Sequence, residues 1–202
     1  MKIVHIETLI SKGEFATSRE WRRTQAEIYA AITSAEWPPG SGAFTIHPVS
    51  GKQRGQGNGV VPIKARCISQ LVAKGWASET AVPLAQEYQS GRFDAVLKSK
   101  SGVIALEWET GNISSSHRAL NKLAIGLMKG GLVAAILVIP SKQLARWLTD
   151  RIGNYPELVP YLDLWRAVPC GEGVMEIVVI EQDDESTDVP RIPKGTDGRA
   201  RG

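Results

Sequence analysis

Glu107-Trp108-Glu109 closes an apolar run, Val103-Ile104-Ala105-Leu106, and Thr110-Gly111-Asn112-Ile113-Ser114-Ser115-Ser116-His117-Arg118 follows at once. Successive side chains of a strand alternate between faces, so Glu107 and Glu109 share one face and Trp108 takes the other. Two carboxylates held roughly 6–7 Å apart on one face repel each other and resist desolvation unless something compensates them. A divalent cation is the simplest compensation, and hard Mg²⁺ prefers oxygen ligands of this kind. The serine-rich stretch ending in arginine sets hydrogen-bonding groups beside the acids. Metal-dependent chemistry next to a polar recognition segment is the hypothesis this spacing raises.

A third acid comes from the neighbouring segment. Phe93 to Leu97 and Val103 to Glu109 read as paired strands joined by Lys98-Ser99-Lys100-Ser101-Gly102. Such a hairpin brings the start of one strand beside the end of the other, and so Asp94 beside Glu107 and Glu109. An Asp followed by Glu-x-Glu on the next strand can hold Mg²⁺ for phosphodiester hydrolysis. The metal polarises the phosphate and acidifies an attacking water, and a carboxylate can take the proton. The spacing is loose, and by itself it suits solvated acids on an edge strand equally well.

The elements that must position these acids alternate along the chain. Ile3 to Ile10 reads as a short strand or arm. Thr17 and Glu20 have capping-box spacing ahead of a helix from Ser18 to Ala35, which Trp37-Pro38-Pro39-Gly40 stops. Residues 37–61 read as a long loop with Phe44-Thr45-Ile46 as a strand-like island; Lys52 and Arg54 there suit either solvent or a phosphate. Pro62 opens a helix over Ile63 to Lys74, and Ser114 to Ser116 cap another through Met128. Leu132 to Ile139 and Val174 to Ile180 have the continuous apolar character of strands buried on both faces. Helices are expected from Ser141 to about Ile152 and from Tyr155 to Trp165. The pattern predicts an α/β fold, a mixed sheet with helices on both faces, in one domain over 1–182. Residues 183–202, polar and Pro/Gly-rich, read as a flexible tail.

Composition narrows the classes further. The chain has 202 residues, 43% apolar and 22% charged, with a net charge of +3. A charge this small permits a nucleic-acid partner but requires a locally built basic face. Two cysteines are too few for a disulfide framework, and the N-terminus has no signal-peptide core. No run approaches the ~20 apolar residues of a membrane helix. A cytoplasmic protein is the expectation.

The stretch from Glu107 to Arg118, then Asn121-Lys122-Leu123, closely resembles the BamHI family of type II restriction endonucleases. The likeness continues through Ile139-Pro140-Ser141-Lys142-Gln143-Leu144-Ala145 and Leu148-Thr149-Asp150-Arg151, and resumes from Val189 to Gly198. Upstream, Phe44-Thr45-Ile46 and Asn58 to Lys64 also resemble the family. The resemblance implies the restriction-endonuclease fold, a homodimer, and Mg²⁺-dependent cleavage of duplex DNA at the palindrome GGATCC, cut after the first G to leave 5′ GATC overhangs. A nuclease of the same fold with another GATC-centred site, or a relative that binds DNA without cutting it, are the alternatives.

Residue by residue, the resemblance implies that Asp94, Glu107 and Glu109 are the metal-binding and catalytic acids. Glu109 stands where related nucleases often carry lysine, as general base or ligand of a second metal. Glu79 matches a further acid near the metals. Asn112, Ser114, Arg118, Asp150 and Arg151 match base-reading positions. Their chemistry suits the site: arginine pairs with guanine O6 and N7, aspartate accepts from cytosine N4, and asparagine pairs with adenine. Lys64 matches a lysine near the DNA backbone, and Gly195 and Gly198 match a tail segment that reaches the minor groove. His117, Trp147 and Trp165 are read as structural. The charges around Met128, Lys129 and Asp163 differ from those at the family's subunit interface.

Overall fold

A computed structural model of the chain describes residues 1–52, 56–84, 91–149 and 151–194. Six strands form one mixed sheet in the order β1-β7-β6-β5-β4-β3. They are β1 Lys2–Lys12, β3 Ala77–Thr80, β4 Phe93–Lys98, β5 Val103–Trp108, β6 Ala134–Pro140 and β7 Gly173–Glu181. The central strands β5, β6 and β7 run parallel, while β1, β4 and β3 pair antiparallel at the two sides. All seven residues of β6 are buried, which matches its continuous apolar sequence.

Helices cover both faces. On one, α2 (Arg19–Thr33) and α3 (Val61–Val72) bury Trp21, Ile28, Ile32, Ile63 and Leu71 against Ala95, Ile104, Leu106 and Trp108. On the other, α4 (Ile113–Met128) buries Leu120, Leu123 and Leu127 against Ala105, Leu137 and Ile177. The short helices α6 (Tyr155–Leu158) and α7 (Leu162–Arg166) join that second layer through Leu158 and Trp165. α1 (Gly13–Thr17) bridges β1 and α2, and α5 (Lys142–Ala145) follows β6.

Several local expectations change. Ser18, not Thr17, caps α2 by accepting the Trp21 N–H at 3.0 Å, and Glu20 turns away to the Ser99–Gly102 turn, where Ser101 donates to it at 2.8 Å. The helix expected from Ser141 to Ile152 is the single turn α5, because the Arg146 and Trp147 carbonyls that follow it accept from the Gly51 and Asn58 N–H groups instead. The segment 155–165 is two short α-helices around a 3-10 turn at Val159–Tyr161, with Pro160 lacking the N–H that a continuous helix would need. Strand β3 has no counterpart in the sequence pattern: its residues Ala77-Ser78-Glu79 are exposed on an edge, so burial leaves no apolar alternation to read.

Residues 183–194, whose composition suggests the start of a flexible tail, are packed. Strand β8 (Asp184–Glu185) pairs in parallel with β2 (Thr45–Ile46), and Ile192 is buried. Trp37 Nε1 donates to the Pro190 carbonyl at 2.7 Å, and the Ile192 N–H donates to Asn58 Oδ1 at 3.0 Å. Composition misses this because one buried isoleucine and backbone pairing anchor an otherwise polar segment. No helix of the described residues is long and apolar enough to cross a membrane.

Candidate active site

The register Ala95↔Leu106 puts Asp94, one residue earlier, across from Glu107 at the end of the β4–β5 pair. Asp94 Oδ2 accepts the backbone N–H of Trp108 at 2.7 Å, which fixes its carboxylate at the place where β5 ends. Trp108 packs into the α2–α3 side of the core while Glu107 turns to α4, as strand alternation requires. Glu109 follows, its N–H donating to the Val138 carbonyl of β6 at 2.9 Å. Asp94 and Glu107 thus lie opposite each other on neighbouring strands, with Glu109 two residues further on.

Two lysines meet them from opposite layers. Lys64 of α3 donates to Asp94 Oδ1 at 2.6 Å and stands 3.7 Å from Glu79 Oε1. Lys122 of α4 ion-pairs with Glu107 Oε1, donates to the Arg92 carbonyl at 2.9 Å and lies 4.4 Å from the Phe93 ring centre. Lys64, expected near a DNA phosphate, is thus inside the acid cluster. Sequence reasoning assigns Lys122 no role; the available signal is a cation between the core leucines Leu120 and Leu123 on an otherwise apolar helix face.

Burial dominates the electrostatics. Glu107 is 5% exposed; desolvation lifts its pKa to about 7, against the pull of Lys122 and with a push from Asp94 and Glu109. Glu109 is also raised, by burial first and by Asp94 second, with Arg118 and Lys64 opposing. For Lys64, burial pulls downward, but Asp94, Glu79 and Glu107 outweigh it and hold the ammonium above its ordinary range. The cluster is an all-oxygen donor set whose members repel one another, which suits a hard dication. As the side chains stand, no three acids among the described residues close into a metal cage, and the two ammonium groups supply the compensating charge.

Glu79 lies on β3 between the ladder pairs Ser78↔Ala95 and Thr80↔Phe93, with φ +46° and a side chain 60% exposed. It reaches the cluster through Lys64. The base-reading candidates gather at the start of α4. Asn112 is its N-cap and accepts the Ser115 N–H at 3.1 Å; Ser114 and Arg118 are exposed on the first two turns, with Arg118 3.4 Å from Ser115 Oγ. The Gly153 N–H donates to the Gly111 carbonyl at 2.8 Å, which ties the segment carrying Arg151 to the same junction. Arg151 is exposed, with φ +65°. Asp150, Gly195 and Gly198, like Arg54, lie outside the described residues. His117 packs on Tyr161 and Trp165, with ring centres 4.8 and 5.5 Å away, on the side of α4 that carries the second core layer.

Acids at the end of a mixed sheet, with a helix starting directly after the last of them, form the architecture of restriction endonucleases. The crystal structure of restriction endonuclease BglII complexed with a DNA 16-mer superposes with a TM-score of 0.61 at 14% identity, covering 91% of this chain and 79% of that one. Free BglII gives 0.53 at 15% identity, over 91% and 81%. These likenesses are of fold. The family follows from sequence: the profile of restriction endonuclease BamHI matches residues 1–199, and the chain belongs to that family. It is 44% identical to the type II restriction enzyme OkrAI of Oceanobacter kriegii, over 99% of both chains. It is 36% identical to the type II restriction enzyme BamHI of Bacillus amyloliquefaciens, over 87% of this chain and 81% of that one. The chain is accordingly a type II site-specific deoxyribonuclease, a phosphodiester hydrolase.

Proposed function

We propose that the protein is a homodimer that uses Mg²⁺ to hydrolyse both strands of duplex DNA at GGATCC, after the first G. The observation carrying this reading is the placement of Asp94 across from Glu107, with Glu109 two residues on, in a chain of this family. Asp94, Glu107 and Glu109 would hold the metal, with Glu79 nearby. Bound there, Mg²⁺ supplies Lewis acidity toward the scissile phosphate and its attacking water. Glu109, partly buried with a raised pKa, is suited to take the proton from that water. Lys64 and Lys122 position their carboxylate partners, and Lys64, whose side chain is 37% exposed, can turn its charge toward the phosphate.

Asn112, Ser114, Arg118 and Arg151 are the base-reading residues in this proposal, with Asp150 beside them in sequence. Two identical subunits suit a palindrome because each reads one half. The surface assigned to self-association is the outer side of α4 and α7. There the exposed side chains of Met128 and Leu164 line a groove of about 410 Å³. Digesting a plasmid of known sequence with Mg²⁺ tests the whole reading. Fragments ending only at GGATCC support it. A broader GATC pattern replaces the site, and a gel shift without cutting removes the catalytic assignment.

A further inference from the structure

We infer that the cleft between α5 and Gly51-Lys52 is a second DNA contact, which takes a backbone phosphate outside the bases read at α4. The cleft, about 190 Å³, is lined by Lys52, Lys142, Arg146 and Arg151, with no acid among its described lining residues. Lys52 and Lys142 set positive charge on this concave surface beside Arg146, and Arg151, the base-reading candidate, stands at its edge. Among the described residues, neither Lys52 nor Lys142 has a carboxylate within ion-pair distance. Arg146 stacks on Trp147 at 4.1 Å and stands 3.6 Å from Glu185, which fixes its guanidinium at the rim.

The loop carrying Lys52 is held in place. The Gly51 N–H donates to the Arg146 carbonyl at 3.2 Å, and the Asn58 N–H donates to the Trp147 carbonyl at 2.8 Å. A Cβ at Gly51 would stand 1.8 Å from the Leu148 carbonyl oxygen, so only glycine lets the two backbones approach this closely. Asn58 is fully buried; its amide donates to the His47 and Trp147 carbonyls at 2.9 and 2.8 Å, and its oxygen accepts from Ile192. Three segments distant in sequence are thereby fastened around the cleft. At its other side, Ile152 leads to the Gly153–Gly111 bond, so the cleft adjoins the α4 junction and the acids beyond it. A duplex lying on that junction would carry a further phosphate into the cleft, where lysines give affinity without reading sequence.

This inference rests on the duplex-DNA reading above, and its test separates the two. Fluorescence anisotropy of the full chain with a GGATCC duplex and with a scrambled duplex, in EDTA at several salt concentrations, gives affinity and salt slope. For Lys52→Ala/Lys142→Ala, the slope of log affinity against log salt should shrink by about 0.9 for each phosphate no longer neutralised, with both duplexes weakened equally. Lys142→Arg should retain the slope. Both lysines are exposed, and a thermal melt matching wild type establishes that the double variant is folded; if it is not, Lys142→Gln alone carries the test. A wild-type slope in the folded variant overturns the cleft, and so does loss of preference for GGATCC with an unchanged slope. A wild-type chain that binds neither duplex overturns the duplex reading instead.

Discussion

Asp94 divides its two carboxylate oxygens between different partners: Oδ2 accepts from the Trp108 backbone N–H at 2.7 Å and Oδ1 from the Lys64 ammonium at 2.6 Å. One acid thus joins the end of β5 to α3 and sets where Glu107 and Glu109 stand. Asp94→Asn keeps the shape but can accept from only one of these donors. Leaving the other unsatisfied in a buried site should cost about 1–3 kcal/mol, read by denaturant unfolding. If the metal assignment holds, cleavage should fall about a thousandfold or more, since metal stabilisation is worth several kcal/mol. Full activity in a destabilised Asp94→Asn would leave Asp94 a purely structural role.

Glu109 should separate cutting from binding. Glu109→Ala removes the proposed base while leaving Asn112, Arg118 and Arg151 in place, so a gel shift on GGATCC should persist where plasmid cleavage disappears. Loss of both together would assign Glu109 to holding the junction rather than to chemistry.

With Glu107 as the proposed metal ligand, its raised pKa gives the Mg²⁺ response a definite pH direction. Burial lifts the folded value from 4.5 to about 7, so the native state favours the protonated form. Its contribution to stability is therefore fullest below 4.5 and declines as pH rises toward about 7. Mg²⁺ requires the ionised carboxylate and must expel that proton below about 7. The gain in Tm on adding Mg²⁺ should be small at acidic pH and grow as pH passes through neutrality. Calorimetry in buffers of different ionisation enthalpy should register proton release on the acid side. A Mg²⁺-induced gain in Tm independent of pH contradicts the assignment of Glu107 as a ligand.

Arg151 holds φ +65°, a conformation that costs a residue with a Cβ about 1 kcal/mol or more. Arg151→Gly should therefore raise Tm modestly while losing the proposed guanine contact, worth about 1–3 kcal/mol of discrimination. Binding competition between GGATCC and single-substitution sites reads the second effect. A variant with wild-type site preference would end the base-reading role.

Leu164 on α7 is 68% exposed in the apolar groove beside Met128 and Trp165. Leu164→Glu should shift sedimentation toward the monomer and reduce concerted cutting of both strands. An unchanged sedimentation coefficient moves the subunit contact to another face.

The strands β4 to β7, the helices α2 to α4, the Glu-x-Glu pair with its polar sequel, and through these the family, are all legible in the order of residues. Long apolar or periodic segments declare themselves because the same residues make the element and fill the core. Other features depend on partners remote in the chain and emerge only once it is folded: the Lys64 and Lys122 ion pairs, the exposed β3 carrying Glu79, and the anchoring of 183–194 through Asn58 and Ile192. None of these leaves a local pattern. A charged side chain looks the same in sequence whether water or a buried carboxylate receives it, and only the packing of α3 and α4 onto opposite faces of the sheet chooses between them.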